Sequence, residues 1–85
     1  MAKVVMYSKD YCPFCDRARS FFKNREIQFT EIDLTGKEDE IQKIKNETGW
    51  RTVPIILIND KLIGGYTDLK ALAESGELDR ILQAD

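Results

Sequence analysis

The chain contains no histidine, only two cysteines and two prolines, and a single tryptophan in 85 residues. Each scarcity removes a class of chemistry. Without histidine there is no Ser-His or Cys-His catalytic arrangement, and transition metals would meet a poor ligand set. A closed zinc site needs four ligands, of which two cysteines supply half, so no metal centre within one chain is expected. Two cysteines also cannot make the multi-bridge framework on which small secreted scaffolds depend. No apolar run is long enough to span a bilayer, and Met1-Ala2-Lys3-Val4-Val5 lacks the apolar core and small-residue cleavage site of a signal peptide. A reducing, cytoplasmic setting without membrane association is therefore expected. The net charge of −2, with both signs interspersed, leaves no electrostatic footprint for nucleic acid. With 42% apolar residues, residues 1–85 are expected to form one domain, near the small end of what folds without staples.

What the chain does have is a cysteine pair in a telling place: Cys12-Pro13-Phe14-Cys15. Lys3-Val4-Val5-Met6-Tyr7 reads as a central strand and Ser8-Lys9-Asp10-Tyr11 as a turn. From residue 13 to about residue 25, Phe14, Ala18, Phe21 and Phe22 recur at helical spacing, and Pro13 suits a first helical turn. A strand that delivers Cys-x-x-Cys to a helix N-terminus is the setting in which this spacing means thiol–disulfide chemistry. Residues 27–34 follow as a second strand, nearer an edge. Thr35-Gly36-Lys37-Glu38 matches a capping box opening a helix that carries Ile41 and Ile44 on one face and stops at Gly49. Pro54-Ile55-Ile56-Leu57-Ile58 is a buried strand, turned by Asn59-Asp60-Lys61 into Leu62-Ile63 as a hairpin. Gly64-Gly65 breaks that strand, Thr67 caps a helix ended by Gly76, and residues 77–83 form a short last helix. The fold class is α/β: a four-stranded mixed sheet, βαβ and then ββα, flanked by helices. The first half is parallel and the hairpin half antiparallel.

A bridge between Cys12 and Cys15 closes too short a loop to restrict the unfolded chain, so the pair is retained for reactivity rather than stability. At the helix mouth the Cys12 sulfur meets unsatisfied N–H groups and the positive end of the helix dipole, which favour its thiolate. Lys9, Arg17 and Arg19 can add positive potential, and Asp10 and Asp16 partly oppose them. Cys15, one turn further in and shielded, is placed to attack a mixed disulfide on Cys12. Cys12 is thus the expected nucleophile and Cys15 the resolving thiol. Two small packed hydrophobes, half of a zinc site, or a zinc or iron–sulfur site shared between two chains are the competing readings.

Three motifs in order, Cys12-Pro13-Phe14-Cys15, Thr52-Val53-Pro54 and Gly64-Gly65-Tyr66-Thr67-Asp68, give the chain a nearly end-to-end resemblance to the dithiol glutaredoxins of the thioredoxin superfamily. The resemblance implies a thioredoxin-like fold, a cis Val53–Pro54 bond, and glutathione as co-substrate. By carry-over, catalysis falls to Cys12 and Cys15. The backbone of Val53, between Thr52 and Pro54, faces a bound cysteinyl group, and Phe14 supplies an aromatic wall, without the hydroxyl of the tyrosine common there. N–H groups around Gly65 and Thr67 hold the γ-glutamyl carboxylate and Asp68 its ammonium, while Lys9 and Arg51 hold the glycine carboxylate. The activity implied is glutathione-dependent reduction of glutathionylated and disulfide-containing proteins by a monomer with no metal. Two alternatives come from other classes. A dimeric iron–sulfur carrier ligated by glutathione is disfavoured by Pro13, where cluster-binding relatives more often have a small residue. A thioredoxin-like electron donor is disfavoured by the Gly64-to-Asp68 segment. Trp50 is left unassigned between core and partner surface, and the charged residues 37–47 read as a solvated helix face.

Overall fold

The computed structural model describes residues 2–83. Its elements run β1 (Val4–Ser8), α1 (Pro13–Asn24), β2 (Thr30–Asp33), α2 (Glu38–Thr48), β3 (Ile55–Ile58), β4 (Lys61–Gly64), α3 (Tyr66–Ser75) and α4 (Glu77–Gln83). The four strands form one mixed sheet in the order β2-β1-β3-β4. β1 pairs with β2 in parallel, Tyr7 opposite Ile32, and with β3 antiparallel, Tyr7 opposite Ile55. β1 is thus an inner strand, and its C-terminal end opens directly onto the cysteine loop.

Strand alternation sends Val4 and Met6 of β1 and Ile56 and Ile58 of β3 to one face. There they form a single core with Ala18 and Phe22 of α1, Leu69 of α3 and Leu78 of α4. Full burial of side chains such as Phe22 and Met6, both at 0% exposure, contributes about 1.5–3 kcal/mol each. The buried positions of α1 are Cys15, Ala18 and Phe22, an i, i+3, i+7 series. Phe14, expected on that apolar face, instead lies half exposed at the helix mouth. The helical angle that buries Cys15 turns its neighbour outward.

β2 is shorter than the expected residues 27–34. Glu26 takes a left-handed φ of 57°, and the Ile27 N–H bonds back to the Phe22 carbonyl at 2.9 Å, ending α1. Ile27 and Phe29 then pack on the core, Phe29 with its ring centroid 5.0 Å from that of Phe22, before the chain joins the sheet. The hairpin turn has Asn59 at φ 52° and Asp60 at φ 66°, the left-handed pair that matches strand twist in a two-residue turn. One extra residue on β4 follows: Leu57 faces Leu62 but Ile56 faces Gly64, a bulge that precedes the glycine pair.

Two cap assignments are corrected. The Thr35 hydroxyl does not open α2: it donates to Asp33 Oδ1 at 2.6 Å and accepts the Asp10 N–H at 2.9 Å, and α2 starts after Lys37 without a side-chain cap. Thr67 does not cap α3 either. Gly65 occupies the cap position, and the Asp68 carboxylate reaches back to accept its N–H at 3.1 Å, the acidic half of a capping box.

A polar cluster ties α1 to the sheet. Glu31 lies opposite Met6 in the register, on the core-facing side of the edge strand β2. It accepts from Arg19 Nε at 2.8 Å and Nη2 at 2.6 Å and from the buried Ser8 hydroxyl at 2.6 Å. Arg19 beside it holds the Glu31 carboxyl below its ordinary range, with a smaller contribution from Ser8. Hydrogen bonds from Thr35 do the same for Asp33. Groups depressed on folding stabilise above their unfolded values, near 4, and that stability is lost as pH falls through the lower folded values. The unfolding free energy from urea titration is expected to be level between about pH 5 and 7 and to fall below about pH 4. Glu31→Gln is expected to cost about 1–3 kcal/mol at neutral pH and to flatten that acid limb.

Candidate active site

Cys12 is the N-cap of α1, and Pro13 fills the first helical position, where a missing N–H costs nothing. The two cysteines are joined as a disulfide, with Cα atoms 5.2 Å apart. The Cys15 N–H donates to Cys12 Sγ at 3.1 Å, so the sulfur takes the place that a serine or aspartate oxygen holds in an ordinary cap. A thiolate at that position gains both this donor and the helix dipole. Cys15 is at 0% exposure, whereas Cys12 is half-buried and within reach of an incoming sulfur. The pair is chemically unequal by position alone.

The loop before Cys12 is held from both ends. Ser8 closes β1, and the Asp10 N–H is pinned to Thr35. Between Asp10 and Cys12, Tyr11 takes a left-handed φ of 52° with its side chain 98% exposed. Phe14 lies under the Arg17 guanidinium, 5.1 Å from the ring centroid, and 6.5 Å from the Tyr66 ring. Phe14 thus joins Arg17 and Tyr66 at the mouth of α1. The surface grooves of about 540 and 500 Å³, lined by Ala2, Val4, Ile27 and neighbours, lie at the opposite end of β1.

The expected motifs converge on this surface from distant parts of the chain. The Val53–Pro54 peptide is cis, and the Val53 carbonyl oxygen lies 3.6 Å from Cys12 Sγ. In the disulfide form that is a contact without a proton. Pro54 is buried, and a Cβ placed on Gly65 would lie 3.7 Å from its carbonyl oxygen, so the second and third motifs touch. Asp68 holds the Gly65 N–H, which is therefore not free for a ligand as expected. The open donors at the start of α3 are those of its first turn, from Tyr66 onward. Thr67 and Thr52 are exposed on this side. Lys9 is not free: its ammonium lies 3.6 Å from Glu38 of α2. Arg51 is exposed, with no ion pair or hydrogen bond among the described residues.

Two electrostatic expectations change. Arg19 adds no free positive potential, since Glu31 and Asp16 occupy its guanidinium; Asp16 Oδ1 accepts from Nη1 at 2.7 Å. Arg17 spends its contact on Phe14. Sequence reasoning singles out neither Glu31 nor a role for Ser8, which closes β1 and does not open the turn, and it leaves Trp50 between core and partner surface. A charged residue on the core-facing register of a four-residue strand was the available signal for Glu31. The Trp50 indole N–H is buried against Gly65, where it has no hydrogen-bond partner among the described residues.

Fold and site together define a thiol–disulfide oxidoreductase of the thioredoxin-like class. The glutaredoxin family model matches residues 4–63. Glutaredoxin-C6 of Oryza sativa is 48% identical over 80 residues, which are 91% of this chain and 71% of that protein. Glutaredoxin 3 of Escherichia coli K12 is 36% identical over 98% of this chain and 100% of its own length. Among solved structures, the buckwheat glutaredoxin–glutathione complex superposes with a TM-score of 0.87 at 28% identity, over 95% of this chain and 76% of that one. The chain belongs to the glutaredoxin family.

The two glycines beside Asp68 differ in what they tolerate. Gly64 has φ 119°, and a Cβ there would lie 2.7 Å from Asp68 Oδ2, whereas a Cβ on Gly65 meets nothing closer than 3.7 Å. Gly64→Ala is expected to lower stability by about 1–3 kcal/mol in thermal or urea unfolding. Gly65→Ala should stay within about 1 kcal/mol of the parent.

Proposed function

We propose that the protein uses glutathione to reduce glutathionylated proteins and small mixed disulfides, and reduces protein disulfides through both cysteines. The observation that carries this reading is the asymmetry of the pair: Cys12 Sγ is reachable and faces Val53, while Cys15 is fully buried behind it. The Cys12 thiolate attacks the glutathione sulfur of a mixed disulfide. The substrate leaves as a thiolate, and Cys12 becomes glutathionylated. A second glutathione thiolate attacks that glutathione sulfur, giving oxidised glutathione and restoring the Cys12 thiolate. For a protein disulfide, Cys12 forms the mixed disulfide, and Cys15 as thiolate attacks the Cys12 sulfur, expelling the substrate thiolate and leaving the Cys12–Cys15 bridge. Two glutathiones then reduce the bridge.

In this reading Val53 offers its backbone to the cysteinyl part of glutathione, with Thr52, Pro54 and Phe14 as the surrounding walls. The γ-glutamyl carboxylate meets the N–H groups around Thr67 beside Gly65, and Asp68 meets the ammonium. Lys9 and Arg51 take the glycine carboxylate, Lys9 by exchanging Glu38 for the ligand. The Lys9–Glu38 pair is exposed and separated by 3.6 Å, so the exchange costs little. The protein works as a monomer in the reducing cytoplasm, where two cysteines this close serve as a redox couple rather than a staple.

Glutathione-dependent reduction of a small mixed disulfide, coupled to glutathione reductase, tests the scheme. Cys12→Ser is expected to abolish turnover, and Cys15→Ser to retain substantial activity on the glutathionylated substrate while losing reduction of protein disulfides. An equally inactive Cys15→Ser would replace this scheme with a purely dithiol route. Lys9→Gln is expected to raise KM for glutathione about two- to fivefold with kcat little changed, the mark of lost uniform binding.

A further inference from the structure

Cys12, Asp16 and Arg19 stand at i, i+4 and i+7, which places them along one stripe of α1. Asp16 is the acidic residue of the first turn, one turn beyond the sulfur. An unrestrained carboxylate at that place oppresses a thiolate at the cap and weakens the help of the helix dipole. The carboxylate is restrained. Arg19 Nη1 donates to Asp16 Oδ1 at 2.7 Å from the following turn, and the other side of the same guanidinium is locked to Glu31 through Nε at 2.8 Å and Nη2 at 2.6 Å. Glu31 is itself fixed by the buried Ser8 at the end of β1. Arginine suits this role because its planar fork engages two carboxylates at once and keeps its charge at every accessible pH.

We propose that Arg19 is a positioning residue of the redox site, anchored to the sheet by Glu31, that draws the Asp16 carboxylate down α1 and neutralises it, so that its charge does not oppose the Cys12 thiolate. The inference rests on Cys12 being the nucleophile but not on how glutathione is bound. Glu31 contributes by making the hold rigid. An arginine with Asp16 as its sole partner would swing with an exposed side chain, whereas this guanidinium is held at three of its five donors. The other charged groups near Cys12 come from every neighbouring element. Lys9 is paired with Glu38 of α2, and Asp10 lies in the preceding loop. Arg17 lies over Phe14, Arg51 precedes β3, and Asp68 caps α3. Substitutions at positions 16 and 19 leave all of these in place.

The test is a double-substitution cycle on the fully reduced protein, following ultraviolet thiolate absorbance against pH. Arg19→Met removes the charge and keeps the apolar stem. It is expected to move the Cys12 midpoint upward by about half a pH unit, the size of one unscreened charge a turn or two away. Asp16→Asn is expected to move it downward by a smaller amount. The combined Arg19→Met, Asp16→Asn protein should return close to the parental midpoint. If Arg19→Met does not fold, Arg19→Lys keeps a charge but loses the fork, and should give a smaller upward shift that Asp16→Asn again cancels. Upward shifts of equal size with and without Asp16 would overturn the proposal, as would no shift on changing Arg19. A merely structural role for Arg19 predicts loss of stability without this reversal by Asp16→Asn.

Discussion

One hydrogen bond organises the site: the Cys15 N–H donates to the Cys12 sulfur at 3.1 Å. It makes Cys12 the cap of α1, so the place where β1 hands over to the helix also sets the electrostatics around its sulfur. The position of that handover depends on two clamps, one from β2 and one from the loop that follows it. Thr35, held by Asp33, fixes the loop through the Asp10 N–H. Glu31, held by Ser8, fixes the helix through Arg19. Both clamps belong to the edge-strand region, where a short polar segment would otherwise have little to bury.

Ion pairs in this molecule differ in weight, and geometry ranks them. The Arg19–Glu31 contact is partly buried and bidentate, with side-chain exposures of 30% and 25%, so it is among the pairs that contribute measurably. The Lys9–Glu38, Lys3–Asp60 and Arg80–Glu77 pairs are more exposed and longer, at 3.6–3.7 Å, and contribute about 0–1 kcal/mol each. The Lys9 ammonium beside the cysteine loop is therefore held only by an easily exchanged partner, whereas the Arg19–Glu31 contact fixes the helix to the sheet.

Much of the architecture was legible in order and type. The apolar runs at β1 and β3, the hairpin turn read over Asn59-Asp60-Lys61, from which β4 takes Lys61, and the glycine stops at Gly49 and Gly76 all follow from period and turn chemistry that operate within a few residues. The misreadings share a cause. Thr35 and Thr67 both look like helix caps because a threonine stands near the start of a helical pattern in each case, yet a competing partner decides: Asp10 and Asp33 for Thr35, and the Asp68 carboxylate for the Gly65 N–H. Phe14 matched the apolar spacing of α1, but the burial of Cys15 fixed the rotation of the helix and left the ring outside.

The amino-acid order was enough to pick out the cysteine pair and the two later motifs that the fold brings to it. Cys-x-x-Cys at a strand-to-helix junction follows from local rules, and the later proline and glycine motifs gain their meaning from resemblance to the family. It could not establish how the charges around the thiol are spent. Arg19 reads as a free cation beside the cysteines until β2, folded in parallel beside β1, brings Glu31 from twelve residues away to its guanidinium. The physical reason is that a charge acts through distance and partners, and both are set by the sheet register and not by position along the chain.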